Sequence, residues 1–398
     1  MGLSKTGIRQ LFRAPHPGKL TGKGLLALSK TLLIQQLSPG SQLDDLLEKS
    51  TKFLLSSMNV PSIASECQCL TAPENGTVTV SVSRWISQVI LHLGQEIYFG
   101  KSLAKVEPDM TKYFIEFDEV GWQALYQYPS ILCGKMLEAK KKLYNGFERY
   151  ISLPLDKRRD SAWLISKLEE EMQTLNLSLS DQALFLFHAY WSINANTRKA
   201  AFWMLSYMIF DPELLKAVRD ETQLARLEKG IDINYLLDSC PKLNSVWEET
   251  MRIKTLAASV RYLTADIKLN GKILRKGNRI MIPQQQLHLS ETFGDNITTF
   301  DPDRFLKNPS LKRNASFKPF GGGTTLCPGR FLAKRTTLAF VAIALKRFEI
   351  VLDPPCQSFP IGEEENLTLG LASWKMCSDI RVRICERPQG SDEKRAPE

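Results

Sequence analysis

The residues best suited to chemistry stand together in Phe320-Gly-Gly-Gly-Thr-Thr-Leu-Cys327-Pro-Gly329-Arg330. One cysteine sits there behind a glycine-rich loop. The residues after it, Phe331 to Ile350, are strongly apolar with few breakers and read as a long buried helix. At a helix N-terminus, orphan N–H groups and the positive end of the dipole favour a thiolate. A buried thiolate needs a partner, and no second cysteine stands beside it at metal-site or redox spacing. Gly321, Gly322, Gly323 and Gly329 let the backbone approach something flat and large. A haem iron held axially by thiolate meets these constraints, and that ligand pushes electron density toward O–O cleavage.

Two further segments carry charge in a pattern. Glu249-Thr-Met-Arg252 places an acid and a base three residues apart, on one face of a helix. Phe300-Asp-Pro-Asp-Arg304-Phe305 follows downstream. With Phe320, Gly323, Cys327 and Gly329 at the spacing F-x-x-G-x-x-x-C-x-G, these three ordered motifs resemble the cytochrome P-450 family of haem-thiolate monooxygenases. The likeness runs from about Leu11 to the end and is strongest from Gln182 onward.

The resemblance implies a mainly α fold with small β-sheets, formed by one catalytic domain over 1–398 with a disordered tail at 386–398. It implies haem b, with Cys327 as the axial iron ligand and Phe320, Gly323 and Gly329 shaping the loop around it. Glu249, Arg252 and Arg304 would form a buried network behind the haem that serves folding and haem retention. A surface i, i+3 pair is the alternative for Glu249 and Arg252, worth only about 0.3–0.5 kcal/mol. Arg261, at the start of a strand, would bind a haem propionate through a forked contact; a plain surface arginine is its rival.

Trp191-Ser-Ile-Asn194-Ala195-Asn196-Thr197 lies where the family carries [AG]-G-x-[DE]-T. Thr197 fits the pattern. Asn196 replaces the acid, and Asn194 the glycine. Both departures, with Ala201-Phe202-Trp203 after them, resemble the branch of prostacyclin synthase and the sterol seven-alpha-hydroxylases. Asparagine can hold a water but has no titratable proton. Proton delivery would then run through Thr197 and ordered water, making Thr197 and Asn196 the candidate catalytic pair.

The family likeness implies oxygen insertion from dioxygen into a bulky lipophilic substrate (a terpenoid, sterol or polyketide) in specialised metabolism. Electrons would come from NADPH through NADPH–cytochrome P-450 reductase. Arg330, Lys334 and Arg335 are candidates for the basic face that meets such a donor, or are simply solvated. A reductase-independent isomerase or dehydratase of oxygenated lipids stays open, as does a non-catalytic truncated paralogue. The endoplasmic reticulum membrane, cytosolic face, is the expected location for the full-length family.

Several elements must position these groups. Leu25 to Gln36 and Gln42 to Ser57 have helical periodicity, separated by Pro39-Gly40, with Ser41 as a cap. Residues 60–78 read as a loop. Val80 to Ile97 starts as a strand or turn and becomes an amphipathic helix closed by Gly100. Residues 108–152 give two helices broken at Pro129, with Lys135, Lys140, Lys141 and Lys142 on the second; the resemblance makes them a lid. Residues 157–173 read as a charged helix. Asp181 to Phe210 reads as one central core helix of roughly eight turns. Asn244 to Ile253 is a further helix, and 259–282 alternates and breaks at Asn270-Gly271 as a hairpin. Gly370 to Met376 is expected to form the last substrate-contact loop.

Composition bounds the rest. A chain of 398 residues can bury a large core, and its net charge is +9. No aromatic-interleaved basic motif accompanies that charge, which argues against nucleic acid. Eight scattered cysteines do not make a disulfide framework and fit a reducing compartment. His16, His92, His188 and His288 share no ligand spacing and read as packed or surface residues. No run of about twenty apolar residues opens the chain, and no signal peptide is visible. Against the family pattern the chain therefore reads as shortened at its N-terminus.

Overall fold

The computed structural model describes residues 3–13, 24–67, 69–70, 76–225, 230–364 and 370–388. Helices dominate. In chain order the site is framed by α1 (Leu25–Leu37), α2 (Val82–Val106), α3 (Met110–Val120), α4 (Gly134–Ser152), α5 (Leu179–Asn194), α6 (Thr197–Ile209), α7 (Pro241–Lys254) and α8 (Arg330–Arg347). The core lies where α6 and α8 pack together. Phe202, Trp203, Met204 and Leu205 on one and Phe340, Val341 and Ile343 on the other are fully buried. Aliphatic and aromatic side chains cover most faces of both helices, so only a central position satisfies them.

Short antiparallel strands sit at the margins. β1 (Thr77–Ser81), β6 (Phe348–Leu352) and β9 (Arg381–Glu386) form a three-stranded sheet in the order β1-β9-β6. β2 (Ala258–Tyr262) pairs with β5 (Arg279–Pro283), and β3 (Ile267–Leu269) with β4 (Lys272–Leu274). The β3–β4 turn is Asn270-Gly271, both at positive φ, 46° and 78°. That is the chemistry a two-residue hairpin turn of the I′ kind requires. β7 (Gly362–Glu363) and β8 (Ser373–Trp374) make the last pair.

Several expectations change. The single central helix is two: α5 ends at Asn194 and α6 begins at Thr197, with Asn196 at φ −111°, ψ −32°. The side chain of Asn194 donates to the Tyr190 carbonyl at 3.0 Å, and that of Asn196 turns outward to another segment. Asparagine competes with the helix ladder in this way. The expected loop at 60–78 opens with a helix, Val60–Glu66; Asn59 caps it by accepting from the Ser62 N–H, and Pro61 occupies its first turn. Ser41 is the first residue of its helix rather than a cap, which is Gly40. Within the expected tail, Glu386 ends β9 opposite Phe348, because the alternating residues of that strand bury Val382 and Ile384; residues 389–398 lie outside the described residues. The basic segment around His16 also lies largely outside them.

Other bounds shift: the charged helix expected at 157–173 begins at Trp163, after a 3-10 turn at Leu155–Arg158, and the helix expected to close at Gly100 runs on to Val106. α3 and α4 flank Pro129, and Gly100, at φ 67°, kinks α2 before its last turns. The apolar run after the cysteine divides into α8 and the strand β6, so Ile350 is in a strand.

Candidate active site

Cys327 precedes the first residue of α8 by three positions, and Gly329 caps that helix. Its backbone N–H donates to the Phe320 carbonyl at 3.0 Å, which closes the glycine loop on itself. Gly321 and Gly323 take φ of 76° and 61°, values open to glycine at no steric cost. A Cβ at Gly323 would meet nothing within 4 Å, so the requirement there is conformational. Burial pushes the Cys327 thiol up; the backbone N–H groups of Gly329 and Arg330 and the Arg330 charge oppose that. Arg330 also donates to the Cys327 carbonyl at 3.0 Å.

Cys327 faces a cavity of about 660 Å³. One wall is the cysteine loop, with Phe320 and Gly329, and Leu332 of α8. The junction of α5 and α6 lines the same space with Asn196, Thr197 and Ala200. Leu93 and Ile97 of α2 close a side, and Arg261 of β2 stands at the rim. Most of the lining is apolar. Such a mixture of apolar walls and a few convergent polar groups is the usual form of a small-molecule or cofactor site. The fold thus brings Cys327, Phe320, Gly329, Arg261, Asn196 and Thr197 around one space. Gly323 shapes the loop without lining it.

Arg261 donates to the Gly322 carbonyl at 3.1 Å and to the Thr325 hydroxyl at 2.6 Å. It therefore ties the strand to the cysteine loop. Lys334 pairs with Glu248 at 2.8 Å, and Arg330 and Arg335 lie over the Phe331 ring.

Glu249, Arg252 and Arg304 meet away from the cavity. Arg252 grips Glu249 with two bonds of 2.8 Å, and Arg304 Nε lies 3.1 Å from both carboxylate oxygens. The Asp301 N–H adds a third donor at 3.0 Å. Two guanidinium groups against one carboxylate leave an excess positive charge. Five backbone carbonyls share it: those of His288, Ile297 and Thr299 around Arg252, and of Phe293, Asn296 and again Thr299 around Arg304. Glu249 and Arg252 are wholly buried, so the surface-pair alternative does not hold. The same helix turns Trp247 and Met251 into the cavity, and Trp247 stacks on Phe320 at 6.5 Å.

Two contacts have no signal in the sequence. His288 reads as an ordinary packed or surface histidine, yet it is fully buried and bridges this network to the segment that leads into the cysteine loop. Leu371 falls in the expected substrate-contact loop and, with Gly370, lines the cavity; that its backbone N–H donates to the side chain of Asn196 is not legible there. Both contacts join segments far apart in the chain, and no local pattern encodes them.

The sequence matches the family profile "Cytochrome P450" over residues 30–373. It is 30% identical over 283 residues to "Cytochrome P450 monooxygenase calL" of Penicillium decumbens, covering 64% of this chain and 52% of that one. It is 24% identical over 395 residues to "Cholesterol 7-alpha-monooxygenase" of Cricetulus griseus, covering 90% and 74%. The structure titled "Retinoic acid bound cyanobacterial CYP120A1" superimposes with a TM-score of 0.66 at 19% identity, over 90% of this chain and 78% of that one. The chain spans between 52% and 64% of the length of the first four curated relatives it matches. With a family profile matched across most of its length and the family's fold around a loop-borne cysteine, the chain belongs to the cytochrome P450 family.

Proposed function

We propose that this chain is the haem-bearing part of a monooxygenase that inserts one oxygen atom of dioxygen into a bulky lipophilic substrate: a terpenoid, sterol or polyketide in specialised metabolism. The observation that carries this reading is that Cys327 and Thr197 line one largely apolar cavity. A relative named cholesterol 7-alpha-monooxygenase supports the sterol class, and a fungal relative named a cytochrome P450 monooxygenase supports the reaction type.

The residues present fit haem b, the family's prosthetic group. The cavity is broad, its walls are apolar, a single thiol faces it, and a guanidinium stands at its edge. Cys327 would supply the axial sulfur, and Phe320, Gly323 and Gly329 the loop that carries it. Arg261 would hold a propionate. When bound, haem supplies the one-electron and dioxygen chemistry that no side chain offers. Thr197, half-buried at the start of α6, would hold a proton at its hydroxyl on the cavity wall. Glu249, Arg252 and Arg304 would hold the scaffold behind the loop.

Electrons would reach the site from NADPH through NADPH–cytochrome P450 reductase. Arg330 and Arg335 would present positive charge to it, while Lys334 is engaged by Glu248. Among the described residues no helix is long and apolar enough to cross a membrane. The segment between α3 and α4 nevertheless exposes Ile131 (89%) and Leu132 (63%), together with Tyr126 and Tyr128, and the first turns of α4 add Leu137, Lys135 and Lys141. Apolar and aromatic side chains backed by lysines suit the surface of an anionic bilayer. This supports work at the cytosolic face of the endoplasmic reticulum membrane.

The test is spectroscopic and then chemical. The reduced, carbon-monoxide-bound protein is expected to show the red-shifted Soret band of thiolate ligation, and Cys327→Ala to lose it. With reductase and NADPH, a panel of sterols and terpenoids should yield hydroxylated product. An unchanged band in the mutant overturns the ligand. Turnover without NADPH or reductase overturns the monooxygenase in favour of an isomerase.

A further inference from the structure

The break between α5 and α6 and the segment Gly370–Ala372 meet over the cavity. The Asn196 side-chain oxygen accepts from the Leu371 N–H at 3.0 Å. A Cβ built on Gly370 would fall well inside van der Waals contact of the same amide, so the two residues are fitted to each other. The segment is held on its other side by the end of α7. Leu256 N–H donates to the Gly370 carbonyl at 2.9 Å, Ala372 N–H donates to the Lys254 carbonyl at 2.8 Å, and Thr255 bridges to Leu371. Trp203 of α6 donates from Nε1 to the Ala372 carbonyl at 2.8 Å. Asn196, Thr197, Gly370 and Leu371 all line the cavity.

We propose that Asn196 is a positioning residue: its amide carbonyl fastens the Gly370–Leu371 segment to the helix break, and so fixes the cavity wall beside Thr197. Its oxygen accepts from a backbone donor and its amide carries no titratable proton, so the proton-holding group on this wall is the hydroxyl of Thr197. The role needs an acceptor at that atom and no titration. It also explains why position 370 carries no side chain: any Cβ there displaces the amide. The cavity-shaping half of the inference rests on the haem reading above; the fastening itself does not.

The experiment compares the wild type with Asn196→Asp, Asn196→Ala, Gly370→Ala and the double variant Asn196→Ala/Gly370→Ala. The first readout is amide hydrogen exchange in the peptide that contains Leu371, measured on the protein as purified. Asn196→Ala and Gly370→Ala should speed exchange there by about tenfold, the protection lost with one local hydrogen bond. Asn196→Asp keeps an acceptor oxygen and should match the wild type. In the double variant, Gly370→Ala should add nothing to Asn196→Ala, since the clash is gone. The second readout is the Soret shift on binding imidazole and clotrimazole, a small and a bulky azole. Asn196→Ala should change the clotrimazole Kd by about tenfold and leave imidazole unchanged, with Asn196→Asp again like the wild type. Exchange unaffected by Asn196→Ala, or equally fast in Asn196→Asp, overturns the fastening. Faster exchange in Asn196→Ala with an unaltered clotrimazole Kd overturns the shaping of the wall. No azole shift even in the wild type sinks the haem reading while the exchange result still decides the fastening.

Discussion

His288 accepts a hydrogen bond of 2.8 Å at Nε2 from the backbone N–H of Lys318. Its other nitrogen lies 3.1 Å from the Arg252 carbonyl. A carbonyl can only accept, so Nδ1 carries the proton and Nε2 presents its lone pair to Lys318. The ring thereby joins α7, at the centre of the Glu249 network, to the chain two residues before Phe320. The charged network and the cysteine loop are one mechanical unit, coupled through a neutral imidazole.

That coupling has a pH signature. Burial pushes the His288 pKa down to about 4. Below its ordinary value of about 6.5, the unfolded chain takes up the proton and the folded chain resists it. Its contribution to stability is therefore fully present above about pH 6.5 and is lost as pH falls toward 4, by ~3 kcal/mol in all. His288→Gln keeps an acceptor for Lys318 without titrating. Urea unfolding at pH 7, 6 and 5 should show a shallower acid loss in the variant than in the wild type; parallel curves would count against the role.

Arg252→Ala removes the principal counter-charge of a wholly buried carboxylate and leaves the carbonyls of His288 and Ile297 short of a donor. Breaking a buried pair of this kind costs about 3–5 kcal/mol. The variant should unfold at markedly lower denaturant and purify with less haem than the wild type. Arg252→Lys should recover little, because one ammonium cannot reproduce a fork that spans Glu249 and three carbonyls. Chemical denaturation and haem-to-protein ratios check both.

Thr197→Val keeps the shape of the cavity wall and deletes the hydroxyl. Haem content and the spectral response to azoles should stay near wild type. NADPH consumption should continue while product per NADPH falls by about tenfold or more, the scale of a lost proton-transfer group. Hydrogen peroxide should account for the difference. Product formation with unchanged coupling would exclude Thr197 from the proton path.

Ile131→Asp with Leu132→Asp places two charges on the most exposed apolar stretch between α3 and α4. If this stretch enters a bilayer surface, binding to phosphatidylserine vesicles should weaken by about tenfold or more, because each side chain forfeits its burial. Neither residue packs into the core, so thermal stability should hold. Vesicle sedimentation with a parallel melting curve separates surface binding from unfolding.

The order of the motifs and the types of residue they carry are properties of the sequence itself. Phe320, Gly323, Cys327 and Gly329 have a spacing whose local reason is complete: a loop that needs left-handed glycine and a helix that follows. The pairing of Glu249 with Arg252 is equally local, because helix geometry alone brings i and i+3 together. The Asn270-Gly271 turn is dictated by its own backbone preferences. The tertiary structure decided everything that depends on distant segments sharing a donor or a space. The break at Asn196 was invisible as periodicity, since apolar residues continue through it; what opens the helix is an asparagine whose partner, Leu371, lies 175 positions away. Gly370 reads as an ordinary loop glycine until Asn196 is seen occupying the place of its side chain. His288 has no motif of its own, and only folding places one nitrogen on Arg252 and the other on Lys318. Local propensity acts over a turn or two of chain, whereas hydrogen-bond satisfaction in a dry interior acts on whatever the fold brings near, and it was the second that assembled this site.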